Sequence, residues 1–62
     1  MYFINSCGPK YTVKPGDSLS KISATCYGTQ DFWFAIAKEN GIKDPYIIYP
    51  KQVLKIPSNP AG

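Results

Sequence analysis

A chain of 62 residues has room for one small hydrophobic core, so any site it carries must be built from surface loops rather than a deep cavity. Hydrophobic residues at 44% against 18% charged exclude a disordered chain. The formal charge of +3 comes from seven scattered lysines with no arginine, which argues against nucleic acid, whose binders concentrate basic residues and use arginine for two-pronged contacts.

In chain order, residues 1–9 end in Cys7-Gly8-Pro9 and read as an N-terminal arm before a domain spanning 10–57. Met1-Tyr2-Phe3-Ile4-Asn5 lacks a basic start followed by a long apolar run, so no signal peptide is visible. Tyr11-Thr12-Val13 predicts a short strand stopped by the turn pair Pro15-Gly16. Asp17 and Ser18 are both good N-caps. Leu19, Ile22, Ser23 and Cys26 then recur at helical spacing and predict a helix over 19–26, with Gly28 as its left-handed stop. Thr29 can cap a second helix, whose apolar positions fall in two overlapping stripes, Phe32/Ala35/Ile36 and Trp33/Ile36/Ala37. Such a broad stripe suits a helix held on two sides, and Asn40-Gly41 ends it. Prolines at both ends of Asp44-Pro45-Tyr46-Ile47-Ile48-Tyr49-Pro50 favour an extended loop. Val53-Leu54-Lys55-Ile56 alternates into a second strand closed by Pro57, and the tail 58–62 is expected to hold no core residue. The order strand, helix, helix, strand predicts an α+β fold. Its two terminal strands pair antiparallel, and both helices pack on one face.

Chemistry is scarce. There is no histidine, which removes the commonest general base and the commonest zinc ligand. Two cysteines, Cys7 and Cys26, fit either one bridge or two free thiols, and Cys26 lies on the apolar side of the first helix. A glycosidase needs two carboxylates flanking the scissile bond. Of the four acids, Asp17 and Asp44 lie on the right loops but have turn and cap roles open to them. No catalytic residue, metal ligand or cofactor site is assigned, and no stretch is long enough to cross a membrane.

Two separated segments carry a family resemblance. Tyr11-Thr12-Val13-Lys14-Pro15-Gly16-Asp17-Ser18-Leu19 resembles the opening of a LysM domain, and Ile48-Tyr49-Pro50-Lys51-Gln52-Val53-Leu54-Lys55-Ile56-Pro57 resembles its closing turn and strand. Ile22, Tyr27-Gly28 and Asn40 sit at the family's helix-core, inter-helix-turn and helix-end positions. Lys51 departs from it, standing where the family has a glycine. The resemblance implies a βααβ fold that binds N-acetylglucosamine-containing glycans, peptidoglycan or chitin-like. The binding groove would lie between the loop entering helix one and the loop leaving helix two.

Carried onto this chain, that groove would consist of Gly16, Asp17, Ser18 and Leu19 on one side and Pro45, Tyr46, Ile47 and Ile48 on the other. The residue types suit the ligand. Gly16 lets a ligand approach the backbone, Asp17 and Ser18 stand beside the free amides of a helix start, and the isoleucines can meet an acetamido methyl group. Alternation along Ile47-Ile48 leaves only one of them free for that role. A flat site of this kind holds one sugar weakly, so affinity comes from longer chains or several modules.

A second reading starts from the aromatic run Phe32-Trp33-Phe34, which is similar to LysM-like segments of phage-tail baseplate proteins. There the chain would be a docking subunit of a tail or contractile-injection baseplate, with Trp33 and Phe34 as anchors for protein partners. The two readings place the protein either at a cell wall or in a virion or injection particle.

Overall fold

The computed structural model describes residues 5–60; what was expected of residues 1–4 and 61–62 lies outside the described residues. The elements are β1 (Lys10–Thr12), α1 (Leu19–Tyr27), a 3-10 turn (Gln30–Phe32), α2 (Trp33–Glu39) and β2 (Val53–Lys55). The expected α+β arrangement is present. β1 and β2 pair antiparallel, with Lys10 opposite Lys55, Tyr11 opposite Leu54 and Thr12 opposite Val53.

Side chains alternate across a strand, so the central pair Tyr11/Leu54 shares one face. Leu54 is fully buried there and Tyr11 packs against the core. Lys10, Thr12, Val53 and Lys55 occupy the outer face, exposed. The helices pack on each other and α2 packs on β2. The core joins Val13, Leu19, Ile22, Cys26, Tyr27, Ile36, Ala37, Leu54 and Ile56. Burying a side chain such as Ile22, Ile36 or Leu54 contributes about 1.5–3 kcal/mol before conformational entropy is set against it.

Several boundaries differ from expectation, and β2 stops at Lys55, one residue early. β1 starts one residue earlier than expected and ends at Thr12, because Val13 meets a bulge. The Val13 amide donates to the Gln52 carbonyl (2.8 Å) and its carbonyl accepts from the Lys51 amide (2.7 Å), so two residues oppose one. Helix one runs one residue further, to Tyr27. The second helix opens as a 3-10 turn because Ser23, buried inside α1, holds it: Ser23 Oγ donates to the Thr29 carbonyl (2.6 Å) and accepts from the Phe32 amide (3.2 Å).

The segment 5–9 is fastened to the domain. Cys7 and Cys26 form a disulfide across 19 residues of chain, which resolves the alternatives left open by the sequence. The Ser6 amide and hydroxyl donate to the carbonyls of Cys26 and Thr25, acceptors that a helix end leaves unsatisfied. Gly28, at φ 80°, closes the same end with a bond to the Ala24 carbonyl. Pro9 accepts from the Ile56 amide (2.9 Å).

The tail differs from expectation. Pro60 is buried, because the chain after Pro57 turns back along α2. There Pro57, Asn59 and Pro60 line a recess of about 500 Å³ with Phe34, Ala35, Lys38 and Glu39.

Candidate functional site

The loop entering α1 is organised by Asp17, though not as a helix cap. The cap is Ser18, whose hydroxyl accepts from the Lys21 amide (3.3 Å). Asp17 Oδ2 instead accepts from the Lys14 amide (2.9 Å) and from the Tyr11 hydroxyl (2.8 Å), while the Asp17 amide returns a bond to the Lys14 carbonyl (3.1 Å). This closes a turn around Pro15 and Gly16, with Gly16 at φ 86°, a value that side chains resist. The bond from the Lys14 amide, followed by that from Tyr11, holds the Asp17 carboxyl below its ordinary range. The same contact pushes the Tyr11 hydroxyl up.

Gly16 is exposed, and Asp17 and Ser18 are half-buried. Leu19 is 5% exposed and belongs to the core, so its expected place in the groove needs correction at the side chain. The apolar helix position that predicts α1 also draws Leu19 inward, and only its backbone can face a ligand. By helix geometry the Leu19 and Ser20 amides have no acceptor within α1.

The loop leaving α2 follows a helix end built by Asn40. Its side-chain amide donates to the carbonyls of Ile36 (2.7 Å) and Lys55 (2.9 Å), and its Oδ1 accepts from the Lys55 amide (2.7 Å). Asn40 thus stops α2 and occupies the outer edge of β2. Next, Tyr46 donates its amide to the Lys43 carbonyl (2.7 Å) around a cis Asp44–Pro45 peptide. Tyr46 takes φ 58°, and its ring meets Trp33 edge-on at 4.9 Å. Pro45 is exposed, Ile47 is 56% exposed, and Ile48 packs against the core. The alternation expected of the two isoleucines therefore holds.

A turn from Tyr49 to Gln52 closes this loop. The Gln52 amide donates to the Tyr49 carbonyl (3.1 Å), and Gln52 Oε1 accepts from the Tyr49 amide (2.9 Å). Pro50 stands second and Lys51, at φ 72°, third, the arrangement of a type II turn. Lys51 thus keeps the left-handed backbone suited to glycine rather than altering the turn.

The bonds of Val13 to Lys51 and Gln52 bring this closing turn beside the chain that leads into Lys14–Asp17. Leu19 lies in the core against which Ile48 packs. Elsewhere, a recess of about 280 Å³ is lined by Phe34, Ala37, Lys38, Gly41, Ile42, Lys43 and Tyr46. Tyr46 is the only expected groove residue on its wall, and Gly16–Leu19 line neither recess described. Of the expected docking pair, Trp33 is half-buried and Phe34 is 53% exposed, their rings edge-on at 6.4 Å. Ile42 and Lys43, which also line this recess, were not among the expected site residues; the Asn40-Gly41 helix end signals the fold-back of Ile42, whose amide donates to the Ala37 carbonyl (2.9 Å).

Residues 11–57 match the family model of the LysM domain. The chain belongs to the LysM family. LysM domains in general bind peptidoglycan and other N-acetylglucosamine glycans. The chain is similar to an uncharacterised protein of Deinococcus radiodurans, 55% identical over 47 residues, covering 76% of this chain and 19% of that protein. It is similar to the potassium binding protein Kbp of Escherichia coli at 49% identity over 49 residues, covering 76% of this chain and 33% of that protein. An esterase of Mycobacterium tuberculosis matches at 47% identity over 47 residues, covering 76% of this chain and 10% of the esterase. The LysM chain thus spans a third or less of these relatives.

Proposed function

We propose that this LysM domain is a non-catalytic module for an N-acetylglucosamine-containing glycan such as peptidoglycan. Its ligand would lie between the Gly16–Leu19 turn and the Pro45–Ile48 loop. The observation that carries the reading is the LysM match over residues 11–57, which takes in both loops. Exposed Ile47 supports it as an apolar contact for an acetamido methyl, and the α1 start supports it with amides for the sugar's carbonyl. Relatives named for potassium binding and for esterase activity share only this stretch with the chain. A stretch common to proteins with such different names suits a portable binding module better than a catalytic centre. The tail-baseplate alternative gains no support from the family match or from these names.

Pull-down on insoluble peptidoglycan and on chitin tests the reading, with Ile47→Asn as the variant. Ile47 is exposed, so its loss leaves the core intact, whereas Asp17 and Ile48 have structural roles that would confuse the result. Retention of the native protein with at least about a tenfold loss for Ile47→Asn is expected, as for one apolar contact in a shallow site. Indifference of the native protein to both polymers would refute the assignment.

A further inference from the structure

The outer face of the β1–β2 ribbon, together with the two turns that adjoin its end, carries its own signal. Lys10 and Lys55 are directly opposed there. The Ile56 amide bonds the Pro9 carbonyl and the Val13 amide bonds the Gln52 carbonyl, which makes Lys10/Lys55 and Thr12/Val53 the pairs without mutual hydrogen bonds, whose side chains stand closest. Like charges so placed repel and weaken the sheet. Lys14 and Lys51 continue the same two segments, brought together through Val13 and exposed. Four of the seven lysines therefore lie along 9–15 and 50–57, stretches with no Asp or Glu. Asp17, whose Oδ2 accepts from Tyr11 and the Lys14 amide, offsets part of the charge at the Lys14 end, while Lys10 and Lys55 remain directly opposed.

Amid these charges stands exposed Val53, at 57%, and Tyr49, 64% exposed, lies in the adjoining closing turn. A partner for this face must be anionic, must lie along a two-stranded ribbon, and must gain from contact with a valine and a tyrosine. Lysine without arginine offers point charges on flexible stems rather than forked contacts to fixed groups, which suits a fluid array of anions. Nucleic acid would account for the charge but not for Val53. An anionic bilayer surface satisfies each requirement, with lysines at the headgroups and the two apolar side chains at the interface. Among the described residues no helix is long and apolar enough to cross a membrane, so the contact is peripheral.

We propose that the outer face of the β1–β2 ribbon docks on anionic lipid bilayers through Lys10, Lys14, Lys51 and Lys55, with Val53 and Tyr49 at the lipid interface. The ribbon and the candidate glycan loops would then be engaged by different partners.

Co-sedimentation with vesicles of equal parts phosphatidylglycerol and phosphatidylcholine, against phosphatidylcholine alone, tests this on the full chain. Native protein should sediment with the anionic vesicles only and be released as salt rises from ~0.05 to ~0.5 M. The double variant Lys10→Gln, Lys55→Gln should lower partitioning roughly thirtyfold, at about fivefold for each lysine. Its unfolding midpoint should not fall, since it relieves repulsion, so lost binding cannot be blamed on lost fold. Val53→Ser should weaken the attachment measured at ~0.05 M salt, so that release comes at a lower salt than for the native protein. Equal sedimentation with both vesicle types, an unaffected double variant, or tighter binding to duplex or single-stranded DNA than to anionic vesicles would each overturn the proposal.

Discussion

Two regions of this molecule solve the same problem by different means. Around the end of α1 and the edge of β2, side chains and a covalent bond clasp the backbone: Cys7 to Cys26, Ser6 to the last helix carbonyls, Asn40 to Lys55, and the Tyr27 hydroxyl to the Pro57 carbonyl. The loops at Lys14–Ser18 and Asp44–Gln52 are held mainly by local turns, with Gly16, Tyr46 and Lys51 in left-handed backbone. The clasped region is built from contacts distant in sequence and tolerates little change. The loop region is built mostly from contacts three residues apart, joined by the bonds of Tyr11 to Asp17 and of Val13 to Lys51 and Gln52, and keeps Ile47 and Tyr49 exposed. The covalent and long-range bonds lie outside the candidate glycan loops, which project from them.

The strongest way to break that contrast is to open the clasp. Cys7→Ser, or reduction of the bridge, should cost about 3 kcal/mol by restoring freedom to the unfolded chain, read as a lower urea midpoint. Peptidoglycan retention at a temperature where the variant stays folded should not change. Asn40→Ala removes three hydrogen bonds and leaves the Lys55 amide without this partner. About 2 kcal/mol should be lost in the same assay, and an effect under ~0.5 kcal/mol would show that water replaces the side chain.

On the loop side the effects should be smaller. Asp17→Ala should cost about 1–2 kcal/mol, moderated by solvent at this half-buried site. Its pH signature is specific. The carboxyl is lowered from the ordinary 3.8, so its contribution is complete above that value and is lost as pH falls through the folded-state value. Tyr11, raised from the ordinary 10.0 by the same contact, contributes below that value and loses its contribution as pH rises through its own folded-state value. Asp17→Asn should therefore flatten the acid limb of a stability–pH curve, and an unchanged limb would contradict the assigned bond. The smallest effect has the opposite sign: Lys51→Gly should stabilise by about 1 kcal/mol by relieving left-handed backbone, seen as a higher melting temperature.

Most of the fold was legible in the sequence because it rests on local rules. Helical spacing from Leu19 to Cys26, glycine after α1, Asn40 after α2 and alternation in Val53–Ile56 each state a backbone preference that the core reinforces. The site was less legible. Two N-cap candidates stood side by side, and which took the role depended on Tyr11, six residues before Asp17, offering its hydroxyl across the turn. Leu19 met both the motif and the helix pattern, and burial favoured the pattern.

By itself the sequence determined the order and type of the elements and the positions of the turns, because those follow from periodicity and from residues with strong φ preferences, and its two motifs carried the likeness to LysM domains. Only the tertiary structure decided that Cys7 and Cys26 are joined, that Asp17 braces a turn instead of capping a helix, that Pro60 returns to α2, and that Lys10 faces Lys55. Apart from the Asp17 turn, whose partners are three and six residues away, each of these depends on distances between residues far apart in the chain, and periodicity carries no information about such distances.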